Sequence, residues 1–224
     1  MDRPNIVKII CHDIGKHLGC YGVKTVNTNS IDSLAKGGIL FNNAFATSPG
    51  CSPSRAAIAT GTYPHNTGVL GLAHAHFGWS LDKKIKHIAK YFSSNDYNSI
   101  LFGLQHVTYH DEILGFNKIF PERPADHVIK NIEDNIDTKL FEKPFYAEVN
   151  FFEPHRPFDY GGVKPFRSKG VFIPKYIPNN LNIKKEFAAM QGAIKKMDES
   201  VGKIINLLKK KNLYENTIII FTTD

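Results

Sequence analysis

The residues whose types and spacing could do chemistry begin at Cys51-Ser52-Pro53-Ser54-Arg55, which runs on as Ala56-Ala57-Ile58-Ala59-Thr60-Gly61. Pro53 fits the first turn of a helix, where its missing N–H costs nothing, and Ala56 to Ala59 sustain the helix until Thr60-Gly61 stops it. Cys51 then sits at the positive end of that helix, where an oxyanion is stabilised, and Arg55, four residues on, can reach back over the same end. A lone cysteine at this position reads as a small buried residue; the accompanying Pro, Ser, Arg and Thr-Gly make it a nucleophile precursor. Four more groups follow apolar runs. Asp13 comes one residue after Asn5–Cys11, His106 ends Gly103-Leu104-Gln105-His106, His155 lies in Glu153-Pro154-His155-Arg156-Pro157, and Asp224 follows Thr217–Phe221. Taken singly, Asp13 is equally a turn or helix cap and His155 a loop histidine held by two prolines.

The elements that must position these groups are readable from periodicity. Asn5 to Cys11 is a β-branched run and predicts a buried strand ending at His12-Asp13, the end at which open α/β sheets bind ligands. Further strands are predicted over Tyr97–Phe102, Phe145–Phe152 and Thr217–Phe221, the last as a buried strand. Helical stripes mark Thr28–Gly37, Leu81–Phe92, Ala125–Phe141 and, most clearly, Lys184–Lys211, whose Met and Phe residues read as core. Thr62 to Gly68 reads as a loop, and 158–182, with Pro165, Pro174 and Pro178, as a long irregular excursion of the kind that borders clefts. His65, His74 and His76 read as surface or turn histidines rather than pocket residues.

The 224 residues, 42% hydrophobic and 22% charged, suit one globular domain or a large part of one. A net charge of +7 suits an anionic partner. The lysines are scattered, with Lys209-Lys210-Lys211 the longest run, and no aromatic–basic interleaving suggests nucleic acid. Three cysteines, Cys11, Cys20 and Cys51, give neither a disulfide framework nor a metal knuckle. No apolar run predicts a membrane span, and Met1 to Lys8 lacks the apolar core of a secretory signal, so the expected location is the cytoplasm.

The Cys-x-Pro-Ser-Arg motif with its Thr-Gly stop resembles the signature of the type I sulfatases, formylglycine-dependent enzymes of the alkaline phosphatase-like superfamily. The resemblance continues at Leu18-Gly19-Cys20-Tyr21-Gly22, Tyr63-Pro64-His65, His106 and His155, and it covers nearly the whole chain. It implies an α/β fold with a largely parallel sheet, formylglycine made from Cys51 by a formylglycine-generating enzyme, and a divalent metal, Ca²⁺ ahead of Mg²⁺. It places Asp13, modified Cys51 and Asp224 at the metal, Arg55 on the oxyanion, His155 as proton donor to the leaving group and His106 as the base that regenerates the aldehyde. Many sulfatases carry Asp-Asp where this chain has His12-Asp13, so Asp13 is taken as the ligand and the role of His12 is left open. Leu104 stands where a sulfate-holding Lys is usual. Residues 1–224 are expected to be the N-terminal catalytic part, without the C-terminal subdomain. The substrate implied is a sulfated small molecule or saccharide, N-sulfoglucosamine-type sulfamates included, since His12 to Gly15 and Phe152 to Pro157 look closest to heparan N-sulfatase-like members. The alternatives are a phosphonate or phosphate monoester hydrolase of the same superfamily and an inactive remnant that binds an anion or a partner.

Overall fold

The computed structural model describes residues 3–74 and 76–224, so the Met1 to Lys8 leader reading lies partly outside it. Five strands, β1 (Asn5–Cys11), β2 (Asn98–Gly103), β3 (Lys118–Phe120), β4 (Phe145–Asn150) and β5 (Thr217–Thr223), form one parallel sheet in the order β3-β2-β4-β1-β5. Every pairing is parallel, so every C-terminal strand end lies along one rim.

One face of the sheet carries Val7, Ile9, Ile100, Phe102, Phe145, Ala147 and Val149 and packs against α1 (Asn29–Gly37), α5 (Ala125–Asn135) and α6 (Leu181–Lys210). These helices offer Ile31, then Val128, Ile129 and Ile132, then Ile194, Met197, Val201, Ile204 and Leu208, apolar stripes of about 1.5–3 kcal/mol per buried large side chain. On the opposite side α4 (Ile88–Ser93) packs on β2, and α2 (Cys51–Thr60) lies against α4 with the short α3 (Pro64–Thr67) beside it. Ser99 Oγ on β2 donates to the Ala89 carbonyl at the start of α4, 2.9 Å away.

Lys8 interrupts an otherwise apolar strand, and the register explains it. Lys8 lies beside Glu148 of β4, with Nζ 2.8 Å from Oε2, at ion-pair distance although off the hydrogen-bond direction. Tyr146 Oη donates to the same oxygen at 2.7 Å and Asn150 Nδ2 to Oε1 at 3.0 Å. Burial pushes the Glu148 carboxyl up, and Lys8 with its other donors outweighs that and brings it down to about 2.

Four sequence expectations need correction. The helix expected over 81–92 is only α4, because Leu81 N–H donates to Val107 O, Asp82 N–H to Thr67 O, and the Asp82 side chain captures Lys84 N–H, so the first half is a turn. His87 then caps α4, its Nδ1 accepting from Ala89 N–H. The helix expected over 125–141 stops at Asn135, where Thr138 bonds the Asn135 carbonyl and caps a 3₁₀ turn over Lys139–Phe141. Residues 64–67, read as loop, are α3, and β3 went unread. The Thr217–Phe221 strand exists but is an edge strand, with Ile218 51% and Ile220 45% exposed. Among the described residues no helix is long and apolar enough to cross a membrane.

Candidate active site

The parallel sheet delivers His12 and Asp13 from β1, Leu104 to His106 from β2, His155 from beyond β4 and Asp224 from β5 to one rim, and α2 points its N-terminus there. Helix α2 starts at Cys51 with Gly50 as extended N-cap, and Ser54 N–H donates back to Gly50 O. It ends at Gly61 in the left-handed conformation, as the Thr-Gly stop predicts. Gly103 is fixed by sterics at the end of β2: at φ +95°, a Cβ there would lie 1.9 Å from the Asn150 carbonyl oxygen.

Asp224 is the hub. Its side chain is buried, Oδ2 accepts from Arg55 Nε at 2.7 Å and lies 2.9 Å from His12 Nδ1, and Oδ1 accepts from Asp13 N–H at 3.2 Å. Burial raises the Asp224 carboxyl, but the His12 contact and the Arg55 guanidinium win and hold it well below the usual carboxylate range. Arg55, 2% exposed, also donates from Nη1 to the Leu104 carbonyl at 3.3 Å, an oxygen shared with Asn150 Nδ2 at 2.7 Å. His155 Nδ1 is held against the Arg156 carbonyl, and its Nε2 lies 3.9 Å from Asp13 Oδ2. His12 meets His155 edge-on with ring centroids 5.1 Å apart, and His106 at 6.1 Å.

Among the described residues, four polar atoms of this cluster are buried without a hydrogen-bond partner: Arg55 Nη2, both His12 ring nitrogens, of which Nδ1 has only the ion-pair contact to Asp224, and His106 Nδ1. Buried groups of this kind cost free energy unless something completes them, and here they gather at the strand-end rim, next to the Asp13 and Asp224 carboxylates. Burial, followed by the nearby Arg55, His12 and His74, lowers His106 to about 4, so it stands neutral with a lone pair available for a proton. Burial also raises the Cys51 thiol, and Asp224 adds to the rise, against the opposing Ser52 N–H and Arg55. An unmodified Cys51 is therefore a poor source of thiolate.

His12, Asp13 and Asp224 each bring one donor atom within 4.8 Å of the others, and the Cys51 sulfur is not among the converging atoms. Two carboxylates at the strand ends fit a hard divalent cation. The sequence-predicted residues Asp13, Cys51, Arg55, His106, His155 and Asp224 all belong to this rim, and His12, whose role the sequence left open, joins them. The signal for His12 was its place at the end of a buried strand. His65 instead stacks on Tyr63 at the surface and His76 is exposed, as read, whereas His74 stacks on His106 with centroids 5.8 Å apart.

The sulfatase family model matches residues 4–224. Human N-sulphoglucosamine sulphohydrolase is 26% identical over 255 residues, an alignment that takes in 99% of this chain and 50% of that protein. The structure of the yidJ sulfatase from Bacteroides fragilis superposes with a TM-score of 0.83 at 24% identity, over 100% of this chain and 62% of the other. Phosphonate monoester hydrolase of Agrobacterium radiobacter gives 0.72 at 21% identity, over 99% and 62%. The chain thus spans about half the length of the curated relatives it matches. These neighbours share the alkaline phosphatase-like architecture expected from the sequence, and with the family model matched over nearly its full length, the chain belongs to the sulfatase family.

Proposed function

We propose that the chain is the catalytic part of a hydrolase acting on an organic sulfate, an O-sulfate or sulfamate, with formylglycine made from Cys51 and a divalent cation, Ca²⁺ ahead of Mg²⁺. The observation that carries this reading is the convergence on α2's N-terminus of a partnerless buried Arg55 Nη2 and the Asp13–Asp224 donor pair. A sulfated saccharide is the substrate favoured by the chain's similarity to N-sulphoglucosamine sulphohydrolase.

Conversion of Cys51 by a formylglycine-generating enzyme supplies a hydrated aldehyde with one hydroxyl to attack sulfur and a second to let the sulfate go. Asp13 and Asp224 would hold the cation through oxygen, Ca²⁺ tolerating an irregular set better than Mg²⁺, and the cation would offset the sulfate charge. Modified Cys51 would add an oxygen to that set. His12 steadies Asp224 from Nδ1, and the Asp224 carboxylate fixes Arg55 through Nε. Arg55 is thereby left with Nη2 to donate to an oxygen on sulfur or on the modified side chain. His155 has Nδ1 donating to the Arg156 carbonyl and Nε2 near Asp13, so with both ring nitrogens protonated it gives the Nε2 proton to the leaving oxygen or nitrogen and returns to the neutral ring. His106 takes the proton of the second hydroxyl at its partnerless Nδ1.

The test is the mass of the Cys51 peptide after co-expression with a formylglycine-generating enzyme, followed by assay of sulfate release. Conversion of CH₂SH to CHO together with sulfate release is the expected result. An unconverted Cys51, where a control sulfatase is converted, sinks it. The phosphonate hydrolase structure motivates a second reading, and preferential release of phosphonate over sulfate from matched esters would favour it.

A further inference from the structure

Residues 71–74 and 76–81 are tied to the active site at two places. Ser52 Oγ, next to Cys51, accepts from Ala73 N–H at 2.9 Å in a buried contact. On the other side Ser80 Oγ and Thr108 Oγ1 are 2.7 Å apart, and Leu81 N–H donates to Val107 O. His74 lies in the first of these stretches, one residue after the Ser52 tether. Its half-buried ring stacks on His106 at an interplanar angle of 24°, and Phe77 closes edge-on behind it at 5.0 Å. Nothing in the mechanism above uses it. Two residues before His106, the Leu104 backbone carbonyl is committed to Arg55 and Asn150, and its side chain has no donor to offer an anion. His106 is assigned as a base at Nδ1 and no oxyanion contact has been assigned to the ring that stacks on it.

We propose that His74 is a substrate-contacting residue, its imidazole N–H donating beside His106 to an oxygen of the tetrahedral oxyanion, a donor that the apolar Leu104 side chain, two residues before His106, does not supply. The inference rests on the sulfate-hydrolase reading for its ligand and on the two tethers and the His106 stack for its geometry. A neutral imidazole has one N–H to give, so the contact does not depend on charging His74. The short tethers hold the ring in place, which lowers the ordering cost of binding.

Inorganic sulfate titrated into the full chain at constant ionic strength, with the histidine ring signals followed by NMR, tests this directly. The expected result is a saturable shift of the His74 ring signal. In His74→Ala the sulfate affinity should fall about 10- to 100-fold, the range for one hydrogen bond to a charged group. Adding Leu104→Lys to His74→Ala should restore most of the lost affinity, which a merely structural role in propping His106 would not allow. His74→Gln, of similar reach and still a donor, should keep an intermediate affinity and guards against a folding defect in the alanine variant. No saturable shift at His74, wild-type affinity in both single variants, or no rescue by Leu104→Lys overturns the proposal. Sulfate binding through His74 without turnover of any sulfate ester would sink the function proposed above and leave this contact standing. Turnover with kcat/KM unchanged in His74→Ala would do the reverse.

Discussion

Two buried carboxylates on the same sheet face have opposite surroundings. Glu148, midway along β4, has both oxygens taken by Lys8, Tyr146 and Asn150, and the Lys8 ammonium also lies 5.5 Å from the Tyr146 ring centre. Asp224, at the end of β5, likewise has both oxygens engaged, but the cationic and imidazole groups around it keep Arg55 Nη2, His12 Nε2 and His106 Nδ1 without partners. The first set balances its charge internally and serves the fold, with Asn150 Oδ1 left unpartnered and Lys8 Nζ at ion-pair distance off the hydrogen-bond direction. The second stops short of closing, at the rim where a substrate would arrive. A path joins them: Glu148 holds Asn150, Asn150 holds the Leu104 carbonyl, and that carbonyl holds Arg55. The closed network thus orients the open one.

The largest expected effect is on stability. Lys8→Met leaves Glu148 buried without its cation and should cost about 3–5 kcal/mol in denaturant unfolding, the usual penalty for halving a buried pair. Adding Glu148→Leu should recover much of it. A cost under about 1 kcal/mol for Lys8→Met would show that the pair is not the closed unit described.

Arg55→Gln should behave the other way round. It removes the partnerless Nη2 and leaves Asp224 with His12 and the Asp13 N–H, so its stability loss should be smaller than that of Lys8→Met. Turnover should fall by about 10²–10³, as for loss of one oxyanion donor. Equal destabilisation by the two variants would erase the distinction between the networks.

The open site should also respond to a ligand that the closed one ignores. Calcium at 100 times its dissociation constant should stabilise the chain by about 2.7 kcal/mol in thermal unfolding, and Asp13→Asn should abolish the gain. A gain of the same size in Asp13→Asn would move the cation away from this rim.

How much of this was legible in the sequence differs between the same two regions. The strand-end residues were readable because a parallel sheet makes adjacency in space follow from position after a strand, and a short motif fixed Cys51 and Arg55 on one helix. The fold class came with the family resemblance, and apolar periodicity placed several of its elements, the long α6 to within a few residues. Lys8 and Glu148 were not legible as a pair, since nothing local says that two strands remote in sequence lie side by side in register. The false helix over 81–87 failed for a related reason: its apolar spacing is helical, but its amide groups are claimed by Thr67, Val107 and the Asp82 side chain. His12 was left open and His74 passed over because their roles come from contacts with Asp224 and His106 that only the folded rim creates.

The smallest effect concerns pH and His87, which lies beside the closed network. Burial, with Lys8 adding and Glu148 opposing, lowers this histidine from its ordinary value to about 4. The sign follows from proton counting. Between pH 6.5 and 4 the unfolded chain takes up a proton there that the folded chain does not, so stability is full above this window and falls as the pH drops through it. The slope is at most about 1.4 kcal/mol per pH unit for one such group. His87→Asn keeps an acceptor for the Ala89 N–H that His87 Nδ1 caps and removes the titration, so its stability should decline less steeply across the same window. Parallel curves for the two proteins would mean that His87 charges as readily folded as unfolded, and the acid sensitivity would then belong to the other histidines lowered by burial, His12, His17 and His106.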